Sequence, residues 1–151
     1  MTARRPAMIA AVTAVFIALA GCAGPTTTDG GYTAKTAGAL GDISSALATA
    51  QFAEQLDRQG RMTFALTDES ISEAESDASS AQSSWQTRQP PSDAMVSLHD
   101  RVQQPMQDAV SALTDLRIAE RRNEPAGVAT AMTEIGKAQQ EIQAQIRAVS
   151  G

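Results

Sequence analysis

His99 is the single histidine of the 151-residue chain, and it follows Met95 by four. On a helix that spacing puts the two side chains on one face, where imidazole and thioether could ligate a haem iron. It equally suits a histidine at the rim of a packed face, with its ring against neighbours and its nitrogens wet. The chain has no cysteine pair for haem attachment, so the rim reading is favoured. A ferritin-like di-iron centre needs Glu-x-x-His on two helices. One histidine, with Val96 three residues before it, cannot supply that. Zinc sites of the usual Cys/His type fail for the same shortage. Glu69, Glu73 and Asp77 lie at i, i+4 spacing and could draw calcium weakly, but such a charge run is usually a solvated face.

"SLHD", Ser97 to Asp100, contains the letters of a hydrolytic triad. Sequence neighbours on a helix point apart, so these side chains cannot converge. Glycoside chemistry would need paired carboxylates in a cleft with aromatic platforms, and the chain has one Trp and one Tyr. It has no Gly-x-Ser-x-Gly elbow and no glycine loop to cradle phosphate. The expectation is a protein without a catalytic centre, metal or cofactor. Met95, Met106 and Met132 read first as gap-filling core and second as a ligand wall. With Trp85 and His99 they are the residues expected to touch any ligand or partner.

Cys22 is the only cysteine. Before it come Arg4 and Arg5 without any acid, then the apolar run "IAAVTAVFIALA", Ile9 to Ala20. That run has the length of a signal-peptide core and falls short of the roughly 20 residues that span a bilayer. Leu19, Ala20, Gly21 and Cys22 follow in lipobox order. The N-terminus thus resembles a bacterial lipoprotein signal, a substrate of signal peptidase II. The resemblance implies a diacylglycerol on the Cys22 thiol, cleavage before Cys22, and commonly an added N-acyl chain such as palmitate. Two or more acyl chains anchor stably where one binds only marginally. An uncleaved anchor is disfavoured by the shortness of the run. The Arg4–Arg5 pair suits twin-arginine export, but Pro6 and Ala7 follow where a bulky apolar residue is usual, which favours the Sec route. The implied location is the cell membrane, with the domain lipid-anchored on the extracytoplasmic side.

The whole chain has 12 basic and 17 acidic side chains, a net charge of −5. Loss of residues 1–21 removes Arg4 and Arg5 and takes the balance to about −7. A domain so charged has no electrostatic pull on nucleic acid or anionic lipid. Arginine outnumbers lysine ten to two, a bias of GC-rich genomes. Alanine, serine and glutamine abound, a helical composition.

What remains must be positioned by helices. Residues 22–32 read as a lipidated, flexible tether rich in Gly, Pro and Thr, and residues 33–151 as the folded domain. The first helix is expected from about Thr33 to Gln59, with Leu40, Ile43, Leu47 and Ala50 in one stripe. Phe52 and Leu56 lie off that stripe, and Gly60 suits a C-terminal stop. The second helix is expected over about Thr63–Thr87. Phe64, Ile71, Ala78 and Trp85 recur at sevens with Thr67, Ala74 and Ala81 between them. Thr67 could alternatively cap a later start. Pro90 and Pro91 break the chain, and Ser92 or Asp93 caps a third helix. Its stripe, Met95, Leu98, Val102, Met106, Ala109, Leu113 and Leu116, keeps phase through Pro105. This predicts one kinked helix to about Arg122, with Arg117, Arg121 and Arg122 at its negative end. After the Pro125 turn, Val128, Ile135, Ile142 and Val149 mark a fourth, widened by Met132, Ala138 and Ile146.

Four matched helices joined by short breaks predict an all-α, up-down-up-down bundle. The plan resembles the small all-helical lipoproteins of high-GC Gram-positive bacteria. The expected function is that of a membrane-anchored, non-enzymatic binding or structural module for another envelope protein. The alternative is a carrier of a small apolar ligand, held between the alanine-rich second helix and the methionines of the third and fourth.

Overall fold

The computed structural model describes residues 27–151. The signal-like N-terminus, Cys22 and the first tether residues lie outside them. The described residues form four α-helices and no strand. They are α1 (Asp29–Arg58), α2 (Phe64–Gln86), α3 (Asp93–Arg121) and α4 (Pro125–Ser150). No helix among them is long and apolar enough to cross a membrane.

Helix α1 starts at Asp29 rather than Thr33, so residues 29–32 are not tether. The physical reason is a cap and an anchor. Thr28 Oγ1 accepts from the Gly31 amide at 3.1 Å, and Tyr32 is fully buried. Helix α2 begins at Phe64, and Thr67 does not cap it. Instead Thr67 is buried and its hydroxyl reaches Asp57 Oδ1 of α1 at 3.2 Å. Ser92 caps α3, accepting from the Met95 amide at 3.4 Å.

The α1 stripe, Leu40, Ile43, Leu47 and Ala50, is wholly buried, as is the α3 stripe from Leu98 to Leu116. On α2, Ile71, Ala78 and Trp85 are buried, but Phe64 is 56% exposed, although the heptad pattern placed it inside. As the first residue of the helix it lies beyond the packed layers. On α4, Ile135 and Ile142 are buried while Val128 and Val149 are half-buried.

Helix α1 packs against all three others, α3 packs against both α2 and α4, and α2 and α4 do not meet. The cross-section is therefore a rhombus with α1 and α3 on its short diagonal. Two turns are set by left-handed residues, Gly60 with φ 64° and Asn123 with φ 51°. Gly127 permits a close approach of α4 to the end of α3. A Cβ there would stand 3.0 Å from the Cβ of Ala119.

Candidate functional site

Three features stand out against the apolar interior and the small side chains that cover it. The first lies where the start of α1 meets the end of α2 and the start of α3. Trp85 is 1% exposed, and its ring stacks on His99 with centroids 4.4 Å apart and planes 14° from parallel. The indole Nε1 donates to Thr36 Oγ1 at 3.0 Å, and that hydroxyl donates onward to the Tyr32 carbonyl at 2.9 Å. Tyr32 Oη lies 2.8 Å from His99 Nδ1. Burial, and then the nearby Asp100 charge, push the Tyr32 hydroxyl above its ordinary pKa. It therefore keeps its proton, and the bond to Nδ1 runs in the direction that the imidazole tautomer sets. Met95 Sδ accepts from Thr33 Oγ1 at 3.5 Å. His99 is thus stacked and bonded, more firmly held than the wet rim histidine expected.

The second feature is an open groove of about 730 Å³ between α1 and α2. Its walls are mainly small: Gly38, Ala39, Ala46, Ala74 and Ala81 with several serines. Asp42, Glu73 and Asp77 line its middle, and Lys35 and Arg88 lie toward the Trp85 end. Two exposed apolar residues continue the same helical faces. Phe52 follows Thr49 of the groove by three and is 61% exposed. Leu66 precedes Glu73 by seven and is 57% exposed.

The third feature is a hollow of about 250 Å³ where the end of α1 meets the α3–α4 turn. Glu54, Asp57, Arg58, Glu120, Glu124 and Val128 are among its lining residues. Glu54 is only 2% exposed, and its Oε2 has no hydrogen-bond partner. Its Oε1 lies 3.4 Å from Arg58 Nε. Burial first, then a hydrogen bond with Glu54 and the charges of Glu54, Asp57 and Asp68, push Glu120 from 4.5 to about 7.

The acidic run of α2 divides among three settings. Asp68 pairs with Arg121 of α3 at 2.6 Å. Glu75 binds the Arg117 guanidinium through both oxygens and also accepts from Thr114 at 2.8 Å. Those bonds, the one from Arg117 above all, hold Glu75 below the usual carboxylate range. Glu73 and Asp77 stay on the groove wall. Among the described residues, no group of three or more His, Cys, Asp or Glu could hold a metal ion.

Of the expected contact residues, the structure brings together Trp85, His99 and Met95. Met106 is fully buried in the core and Met132 packs on its margin, so they do not join that cluster as a wall. Glu54 and Glu120 were missed by looking for motifs, yet a signal existed. Glu54 follows Ala50 by four and Glu120 follows Leu116 by four. Each occupies the next place on a buried stripe, where a carboxylate calls for explanation. No known protein family matches the chain, and neither does a curated protein or a solved structure.

Proposed function

We propose that the chain is a lipid-anchored envelope protein whose helices form an up-down-up-down bundle that binds a partner helix in the α1–α2 groove. The alternating direction is supported by pairs at opposite helix ends: Trp85 with Thr36, Thr67 with Asp57, and Asp68 with Arg121. A bend in α3 at Pro105 is the expected response to the missing amide hydrogen bond. The lipobox resemblance supports anchoring through Cys22 after recognition of Leu19, Ala20 and Gly21.

The observation that carries the binding reading is the groove. Small walls let a helix approach closely, and the exposed Phe52 and Leu66 offer apolar anchors at one end. Asp42, Glu73 and Asp77 select an amphipathic helix with basic residues at its middle. Six residues separate Cys22 from Asp29, and a chain spans at most about 3.6 Å per residue. Anchored so, the Lys35–Arg88 end faces the membrane and the Phe52–Leu66 end stands away from it. This groove does not favour a carrier of apolar ligands, because carboxylates line its middle.

A photoreactive residue in place of Ser45 or Ser80, both on the groove wall, tests the surface in intact cells. One crosslinked species is expected from these positions, none from Thr133 on α4, and loss of the species with Phe52→Asp. The same pattern from all three positions would overturn the reading. Anchoring is tested separately by Cys22→Ser, which should abolish lipid labelling and cleavage. Unchanged processing to the same mature N-terminus would sink it.

A further inference from the structure

Glu54 is the anomaly of the end opposite Trp85. It sits at a stripe position where α1 elsewhere places Leu40, Ile43, Leu47 and Ala50. It is 98% withdrawn from solvent, and one of its two oxygens accepts from no N–H group or hydroxyl, leaving a proton on Glu120 as its donor within the fold. A buried acceptor whose one donor is a proton on a second carboxylate loses it when both ionise, and then calls for a donor from outside the fold. Beside it lies the hollow of about 250 Å³, large enough for several atoms beyond a single water.

The charges that face the hollow are mainly of one sign. Helix α1 contributes Glu54, Asp57 and Arg58; α3 contributes Glu120; the turn into α4 contributes Glu124. Asp68 of α2 adds its field from nearby, although it is paired with Arg121. Arg58 is the single cation in the lining, and it is spent on Glu54 Oε1. Pro125, Val128 and Ala129 of α4 supply an uncharged, largely apolar wall.

We propose that this hollow is a binding site for a small primary ammonium ion carried on a short alkyl chain. An ammonium has three N–H donors and no acceptor, which matches an orphaned carboxylate oxygen ringed by other carboxylates. The alkyl part would lie on the Pro125–Val128 wall. A bare metal ion fits less well, since the described carboxylates do not gather into a metal-ligating group. In the absence of the ion, a proton held by Glu120 supplies the missing donor to Glu54, and Glu120 titrates near 7. Proton and ammonium thus compete for one place. The site shares no lining residue with the groove and does not depend on the groove's partner.

The test is thermal melting of the full chain in rising ethylammonium chloride. Tetramethylammonium chloride and sodium chloride at equal ionic strength serve as controls. At pH 8 ethylammonium alone should raise the melting temperature saturably. At pH 6 the half-saturating concentration should be about tenfold higher, from competition with the Glu120 proton. Glu54→Gln should remove the response. A measurement on the unaltered chain guards against a folding defect in that variant: the carbon-13 titration midpoint of the Glu120 carboxyl should fall when ethylammonium is added. The proposal is overturned if the three salts act alike, if Glu54→Gln keeps the response, or if the Glu120 midpoint does not move.

Discussion

The two ends of the helical domain solve the same problem in opposite ways. Each must accommodate polar side chains on stripes that elsewhere are apolar. At the Trp85 end, Tyr32, Thr36, Trp85 and His99 satisfy one another across three helices. At the Glu54 end, two glutamates face each other around a hollow, and one buried oxygen is left over. A closed network fixes a packing arrangement, whereas an incomplete one stores an opening for a proton or a ligand. Side-chain partners are therefore complete around Trp85 and Thr36 where α1 begins, and a buried carboxylate lacks an N–H or hydroxyl donor where it finishes.

The sharpest way to break this contrast is to open the closed network. Trp85→Ala should cost about 3–5 kcal/mol in chemical denaturation, the range for deleting a buried aromatic. A cost below about 1 kcal/mol would mean that the ring does not plug the core. Next in size is the α2–α3 tie. Glu75→Ala should cost about 1–2 kcal/mol at pH 7, since it removes bonds to a charged guanidinium that is itself partly in water. The sign with pH is fixed by its lowered pKa. The contribution is whole above the ordinary glutamate value of 4.5 and is lost as pH falls through the lower folded value. Denaturation of wild type and variant from pH 7 to pH 2 should show the two converging at the acid limit. A gap that stays constant to pH 2 would contradict the assignment. Tyr32→Phe is smaller, about 1 kcal/mol, because it withdraws one hydrogen bond and leaves His99 Nδ1 without its partner. The His99 ring resonances should also move in the NMR spectrum of that variant, and unmoved resonances would separate His99 from the network.

How much of this was legible follows from what periodicity can encode. Stripes at 3–4 spacing name the residues that face inward, and Leu40–Ala50 and Leu98–Leu116 are inward. They say little about where a helix stops being packed. That is why Phe64, in phase with Ile71 and Ala78, is exposed, and why Tyr32, ahead of the expected start, is buried. The groove was not legible, because the same alanines serve a close contact or an open cleft according to how the axes diverge. Ala78 faces the core, while Ala74 and Ala81 reach the groove wall. Charge runs were legible in composition and not in pairing. Asp68 and Glu75 belong to arginines some fifty and forty residues away, a relation set by the α2–α3 packing. The buried pair Glu54–Glu120 was present as two acids at stripe positions, but only their meeting across α1 and α3 gives them chemistry.

The smallest expected effect is also the one that separates the two ends by sign. Polar deletion at the Trp85 end must destabilise, since Tyr32 Oη, Thr36 Oγ1, Trp85 Nε1 and His99 Nδ1 all have partners there. At the Glu54 end, Glu120→Gln replaces a group that is forced to ionise near its neighbours with one that never does. The folded pKa of about 7 lies above the ordinary 4.5, so wild-type stability is complete below 4.5 and declines as pH rises toward 7. Above 7 both states are ionised and the loss is constant. Glu120→Gln should therefore match wild type at pH 4, gain steadily between pH 4.5 and 7, and hold a gain of about 0.5–1 kcal/mol at pH 8. That figure is discounted for the partial exposure of Glu120. An amide can also donate to the orphaned Glu54 oxygen at every pH, which the carboxylate cannot. Urea denaturation of both proteins at pH 4, 6 and 8 reads the difference directly. A variant less stable than wild type at pH 8 would show that the glutamate end is as fully satisfied as the tryptophan end, and the contrast between them would collapse.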